Sequence, residues 1–477
     1  MTATQYKLSS AVALLLVAAF PVFQIFQSRG LIFYTNGWDE ASYLQYDYSK
    51  HVLEISSLGR IAQWPVMLLH EAGLSGGWIN FLSDTLFTLF LILILPPIFK
   101  NMGFSQRKSN IFCVSLLGLP LLLSNLNPLM LVLSDLNSRS TSLRWLTTPV
   151  INDPFWLRTP EPQASFFLIL SFLYLSQKTK NIYFLFVPLI FAYPFIKLPM
   201  AFVLLAILIS AKGRLKLTMS VIVSALIISF ALLAYGIFVV DDFVGGYIIN
   251  SHLPLLSFCG LLSIPILLRA VKSPHRQPIF LLISSIWFAT NFQLISGFTI
   301  QPNNFEQYWS VAALILAFLF YFQDSPYLKA APILSLLILC IWSANNFYVN
   351  LKMAQKIDLN DELLQAIKVD SSKVAVNDIY LSTRLDMLYP KQSLTLFSYS
   401  RFYKKLPEER LGEYLCARDA LSLDPAFEDT LNLADEYYRN GDQNTPLNTI
   451  YRVIHPWPQR AFDFPEPCEI KMFHVIE

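Results

Sequence analysis

Residues 78–99 read WINFLSDTLFTLFLILILPPIF, and the fold turns on what surroundings such a stretch needs. As a helix rising 1.5 Å per residue it would extend about 33 Å, close to the roughly 30 Å of a bilayer's hydrocarbon core. Its one charged residue is Asp84, and Lys100 follows its end directly. This is the pattern of a membrane-crossing helix with a basic anchor on one side.

Working outward, apolar runs of similar character recur at Leu8–Phe26, Ile111–Leu133, Ala164–Ser176, Ile182–Ile196, Leu198–Ala211, Leu217–Val240, Leu253–Leu268, Ile279–Gly297, Trp309–Phe322 and Ala331–Tyr348. Together they predict an α-helical polytopic membrane protein with about 11 transmembrane helices. Leu8–Phe26 has Lys7 before it and no small-residue cleavage site after it, so it is expected to stay as a signal anchor. Pro188, Pro194 and Pro199 are expected to break the two short runs around Lys197, which a membrane tolerates only where freed backbone meets protein or a wet cavity. Across all 477 residues, 54% are hydrophobic and 14% charged, against roughly 25% charged in a soluble domain. The net charge of +2, without a basic stripe interleaved with aromatics, argues against a nucleic-acid partner.

Lysine and arginine then set the topology. Lys100, Arg107 and Lys108, then Lys178 and Lys180, then Lys212, Arg214 and Lys216, then Arg269, Lys272 and Arg276 fall in alternate loops, whereas 241–252 and 298–308 carry none. Basic loops face the cytoplasm. With the N-terminus inside, loops 29–77 and 134–162 and everything after 350 are expected on the outer side. The expected domains are a transmembrane unit, 1–349, and a small soluble extracytoplasmic α/β domain, 350–477, with strands at Val374–Val376 and Ser393–Phe397 and helices at Leu411–Leu421 and Thr430–Tyr438. Of five cysteines, Cys113, Cys259 and Cys340 lie in apolar runs, and Cys416 and Cys468 form a disulfide only if that tail is oxidised.

The outer loops hold the candidate chemistry. Residues 36–43, NGWDEASY, precede Leu44, Tyr48, Val52, Ile55 and Leu58 at helical spacing, an amphipathic helix suited to a membrane surface. Asp39 and Glu40 would sit at its first turn, where the helix dipole favours anions, with Asn36 or Asp39 as the capping residue. The second outer loop carries Arg139, Arg144 and Arg158 with Asp135 and Asp153. Arginine's fork of donors suits a phosphate, and lipid head groups or the nearby aspartates are the alternative partners. Lys197 is either a snorkelling anchor or a further phosphate contact. Asp84 is an intramembrane carboxylate, functional by default or bonded to a neighbouring helix. QPNNFEQYW, 301–309, brings Glu306 and Tyr308 to the outer edge, as an interfacial belt or a pocket lining.

A membrane helix, a sharp turn with an acid at the surface, an interfacial helix, an arginine-bearing second outer loop, a many-helix body and an outward soluble tail resemble the GT-C superfamily of integral membrane glycosyltransferases. The resemblance covers the whole architecture and only a few motif-like residues. It implies a GT-C-like fold and transfer of a sugar from a polyprenyl-phosphate-linked donor to an extracytoplasmic acceptor. It further implies catalytic Asp39 with Glu40, donor-phosphate contacts from Arg158, Arg139, Arg144 and Lys197, and a pocket drawing on Asp153, Glu306 and Tyr308. Some members use a divalent cation, and here the metal stays open because no DxD pair is present. The absence of Asn-x-Ser/Thr sequons favours a bacterial inner membrane. A transporter or flippase, or an assembly partner in a polysaccharide pathway, is the competing expectation.

Overall fold

The structure, a computed structural model, describes residues 1–27, 68–69, 72–74, 76–122, 146–147, 156–157, 162–210, 223–224, 227–228, 231, 248–250, 252, 254–273, 276–300, 302–359, 373–376, 393–394, 452–453 and 470–473. Among these, helices dominate. The chain begins with α1 (Ala3–Gln27), α2 (Gly76–Asn101) and α3 (Gln106–Gly118), the last tightening into a 3-10 turn at Leu119–Leu122. A short β1 (Leu146–Thr147) precedes α4 (Gln163–Thr179), a 3-10 turn at Ile182–Leu185, α5 (Phe186–Phe191) and α6 (Pro194–Ser210). Then come β2 (Ile248–Asn250), β3 (Leu256–Ser257), α7 (Phe258–Ala270), α8 (Arg276–Thr290), α9 (Gln293–Ser296), β4 (Phe298–Ile300) and α10 (Pro302–Phe305). A π-helical turn, Glu306–Ser310, leads into α11 (Val311–Tyr321), and a 3-10 turn at Pro326–Lys329 leads into α12 (Ala331–Leu359). Beyond it lie β5 (Lys373–Val376), β6 (Ser393–Leu394), β7 (Arg452–Val453) and β8 (Ile470–Phe473).

Among the described residues two stretches are long and apolar enough to cross a membrane: Phe81–Asn101 of α2, 21 residues, and Ala331–Tyr348 of α12, 18 residues. The helices pack as two groups. In one, α12 lies along α3 and α1, and α2 packs on α1, α3 and α4; in the other, α8 packs on α11, α6 and α7. The two groups meet where α11 touches α3 and where α5 packs between α4 and α6.

The loops divide between two ends of this bundle. At one end Lys108 bridges Asp324 at 2.6 Å, and Asn101 donates to Gln177 at 3.2 Å. Burial first, then the charges of Arg107 and Lys329, lower the pKa of the amino group of Met1, so the start of α1 belongs there too. Phe99, Phe104, Phe112 and Phe320 close this basic end as a knot of rings, with Phe104 stacked on Phe320 at 5.2 Å. The turn from α2 to α3 needs Gly103, whose φ of +94° lets the chain double back so that the Phe104 N–H reaches the Phe99 carbonyl.

The opposite, far end carries short strands. β2 is the centre of an antiparallel sheet ordered β4-β2-β7, and β1 pairs in parallel with β3. Of the three loops expected on the outer side that supply these strands, 146–147 thus pairs with 256–257, from the edge of the Leu253–Leu268 run, and 248–250 pairs with 298–300 and with 452–453 of the tail. In the tail β5 pairs in parallel with β6 and with β8; β5 covers the strand expected at Val374–Val376, and of the one expected at Ser393–Phe397 the described residues show Ser393–Leu394, the rest lying outside them. The helices expected at 411–421 and 430–438, and Cys416 with Cys468, lie outside the described residues.

Two sequence expectations change here. The prolines were expected to break the helices at three places; Pro188 and Pro199 lie inside helices, and the described break comes at Ala192–Tyr193, just before Pro194. Pro188 sits in the first turn of α5, where a missing N–H costs little. Pro199 withholds its N–H from the Phe195 carbonyl, and α6 nonetheless continues through it. In addition, α12 runs on to Leu359, past the change in composition at 350, because helix propensity survives the loss of apolar character.

Small residues let α3, α12 and α1 approach closely. Ser335 donates to the Val114 carbonyl at 2.6 Å and Ser343 to the Leu16 carbonyl at 3.0 Å. At Gly118 a Cβ would fall within contact distance of the Ser335 backbone oxygen. Gly118→Ala is therefore expected to destabilise the protein by about 1–3 kcal/mol, read as a shift of the unfolding curve in mixed micelles; an unshifted curve would contradict this packing.

Candidate functional site at the far end of the bundle

The far end holds a group of polar side chains that bond between elements, and its geometry follows from a broken helix. The run 182–210 climbs as the 3-10 turn and α5, leaves helical geometry at Ala192 with φ −68° and ψ 157°, and restarts at Pro194. A break inside packed protein frees peptide groups that need partners. The Tyr193 N–H goes to Ser165 Oγ on α4 at 2.8 Å, and the Ile190 carbonyl accepts from Lys197 Nζ at 2.8 Å. The Tyr193 carbonyl takes the N–H groups of Ile196 and Lys197, which starts α6.

Rings from four positions cluster against this break. Tyr193 lies 5.0 Å from Phe195 and 6.2 Å from Tyr308, and Phe195 lies 5.0 Å from Phe305 and 6.0 Å from Tyr308. These tilted and edge-on pairs join α6 to α10 and the π-turn. Tyr308 is only 3% exposed, so its ring is a packing element of this block.

The extra residue of the π-turn directs Glu306 inward. It is fully buried, and its Oε2 accepts the Cys259 N–H at 3.3 Å in the first turn of α7, where Ser257 caps the neighbouring Gly260 N–H at 2.8 Å. A carboxylate there meets free N–H groups and the positive end of the helix dipole. The Thr290 hydroxyl lies 3.5 Å from Glu306 Oε1 while donating to the Ile286 carbonyl at 3.0 Å. Glu306 thus ties α7, α8 and α11 together. π-bulges are frequent at functional sites, so this turn marks the region independently of the residue types in it.

Two further clamps complete the end. Gln163, at the start of α4, donates through Nε2 to Asp84 Oδ1 and to the Trp156 carbonyl, both at 3.0 Å. Asp84 is therefore bonded to a neighbouring helix. Asn291 pairs with Leu255 as a strand would, accepting its N–H at 2.8 Å and donating to its carbonyl at 3.0 Å.

Of the expected site residues, the structure sets Lys197 at the helix break and Tyr308 in the ring cluster beside it, with Glu306 two residues away in the same π-turn. Asp39, Glu40, Arg139, Arg144, Asp153 and Arg158 lie outside the described residues. Trp156 and Leu157, directly before Arg158, are buried at 1% and 0% exposure, and α1 and α2 open toward the far end on either side of the segment that carries Asp39. Gln163, Ser165, Ser257 and Asn291 were not singled out from sequence. Their available signal was position: each is a polar residue within a few residues of an apolar run's edge. Among the described residues no three His, Cys, Asp or Glu side chains come together as a metal ion would require.

Comparison with known proteins gives no match: neither a family model, nor a curated protein, nor a solved structure matches this chain.

The buried carboxylate yields a direct test. Glu306→Ala strands the Cys259 N–H and is expected to cost about 1–3 kcal/mol, whereas Glu306→Gln keeps an acceptor and loses less. Unfolding of the purified variants in mixed micelles measures both, and equal losses would contradict the capping role.

Proposed function

We propose that this chain is a polytopic membrane glycosyltransferase of the GT-C type, moving a sugar from a polyprenyl-phosphate donor to an acceptor outside the cytoplasm. The observation that supports it best is the sorting of loops. Lys100, Lys108, Arg107 and Lys329 gather at one end, while the segments bearing Asp39 and Arg139 to Arg158 connect helices and strands that open at the other. An acid and a group of arginines on one side of a bilayer suit a donor whose phosphate sits at the head groups and whose polyprenyl chain stays in the hydrocarbon.

In this reading Asp39 takes the proton of the acceptor hydroxyl as that oxygen attacks the anomeric carbon, and Glu40 supports it. Arg158, with Arg139 or Arg144, stabilises the polyprenyl phosphate as it leaves. Lys197, Glu306 and Tyr308 belong to the far end, the pocket is proposed to draw on Asp153 as well, and a divalent cation is compatible with Asp39 and Asp153. About eleven membrane helices, a bacterial inner membrane with the N-terminus cytoplasmic, and an extracytoplasmic α/β tail over the site complete the proposal.

The broken helix at Ala192–Tyr193 favours a second reading, a transporter or flippase, because such folds place unwound backbone at the substrate path. Transfer of labelled sugar from polyprenyl-phosphate donors in membranes decides between them. Asp39→Asn is expected to lower transfer by about 10²–10⁴-fold. Undiminished transfer by that variant, or none by the wild type with any such donor, would contradict the proposal.

A further inference from the structure

We infer that Lys197 is a built-in cation: its tethered ammonium occupies a site at the helix break that would otherwise take a mobile monovalent cation, sodium or a small alkylammonium. The inference holds whichever activity the protein has.

It begins with one carbonyl. In an unbroken helix the Ile190 oxygen would accept from the N–H of residue 194, and residue 194 is proline, which has none. Left bare among apolar side chains, that oxygen would cost several kcal/mol. Lys197 Nζ fills the position at 2.8 Å, reaching back across the break from the first turn of α6.

Nothing within α6 favours a cation at that position. The N-terminal end of a helix is the positive end of its dipole, so lysine in the first turn is mildly unfavourable there. Its immediate neighbours, Phe195 at 2% and Ile196 at 0% exposure, are core residues. Among the described contacts, the half-buried charge meets the carbonyl end of α5. In membrane proteins with broken helices, unwound carbonyls of this kind hold sodium or a proton-bearing group that comes and goes. A lysine cannot leave. The break is then a fixed structural feature, which suits a rigid wall beside the ring cluster better than a cation-coupled transport cycle.

The test uses the purified full-length protein in micelles and the midpoint of thermal unfolding. In choline chloride, Lys197→Ala is expected to unfold a few degrees below wild type. Replacing choline by sodium, or adding n-propylammonium, which restores the atoms from Cγ to Nζ, is expected to recover most of that loss without shifting wild type. Lys197→Met, similar in length and uncharged, is expected to stay low and unrescued, and Lys197→Arg to lie near wild type. If Lys197→Ala gives no folded protein, Lys197→Met is expected to fail as well and Lys197→Arg to fold. A wild-type-like midpoint for Lys197→Met overturns the inference. So does a Lys197→Ala protein that unfolds like wild type but loses sugar transfer, because the ammonium would then serve a ligand. Equal stabilisation of wild type and Lys197→Ala by the amine also overturns it.

Discussion

A peptide N–H or carbonyl that leaves a regular helix inside packed, apolar protein must find another partner, and the far end of this bundle is shaped by that requirement. Ser165 receives the Tyr193 N–H and Lys197 covers the Ile190 carbonyl at the break in 182–210. Glu306 and Ser257 share the first N–H groups of α7, and Asn291 stands in for a strand beside Leu255. Gln163 does the same for the Trp156 carbonyl while binding Asp84. Each of these side chains comes from a different element than the backbone it serves, or from across a break. The irregular backbone is therefore held in one arrangement.

The basic end shows one such device among the described residues: Pro96 inside α2 withholds an N–H, and the Tyr6 hydroxyl of α1 donates to the Ile92 carbonyl left over. There the helices join through compact turns, a left-handed Gly103, a Ser105 cap and the interlocked rings of Phe99, Phe104, Phe112 and Phe320. Apolar packing and short turns account for the rest of this end. Irregularity is concentrated at the far end, together with the short strands that draw in 146–147 and 452–453. Fixed, hydrogen-bonded irregular backbone is what a site built from several loops requires, and the proposed transfer chemistry is assigned to this end.

Legibility from sequence follows the range of the interactions. α2 was readable almost to the residue because hydropathy is local, and its predicted span, 78–99, lies within the observed Gly76–Asn101. β5 and β6 were readable because short β-branched or apolar runs bounded by polar residues favour strands. The division of 182–211 was placed at Lys197 because a charge interrupts the hydropathy there. The chain actually breaks five residues earlier, where proline withholds a donor, and the lysine is the repair. Glu306 was recognised as notable, but its partner is the N–H of Cys259, 47 residues away, and no local pattern encodes that contact. Gln163 likewise meets Asp84 across 79 residues. What sequence conceals here is the pairing of polar groups between helices, which depends on how the helices come together.

The central claim is that the far end receives a lipid-linked phosphate. The most direct measurement is a structure of the full-length protein in lipid nanodiscs with a polyprenyl monophosphate. The phosphate is predicted at the far end, against the segments carrying Asp39 and Arg139 to Arg158 and near the ring cluster of Tyr193, Phe195 and Tyr308. A phosphate bound instead at the basic end, beside Lys108 and Asp324, would contradict the account.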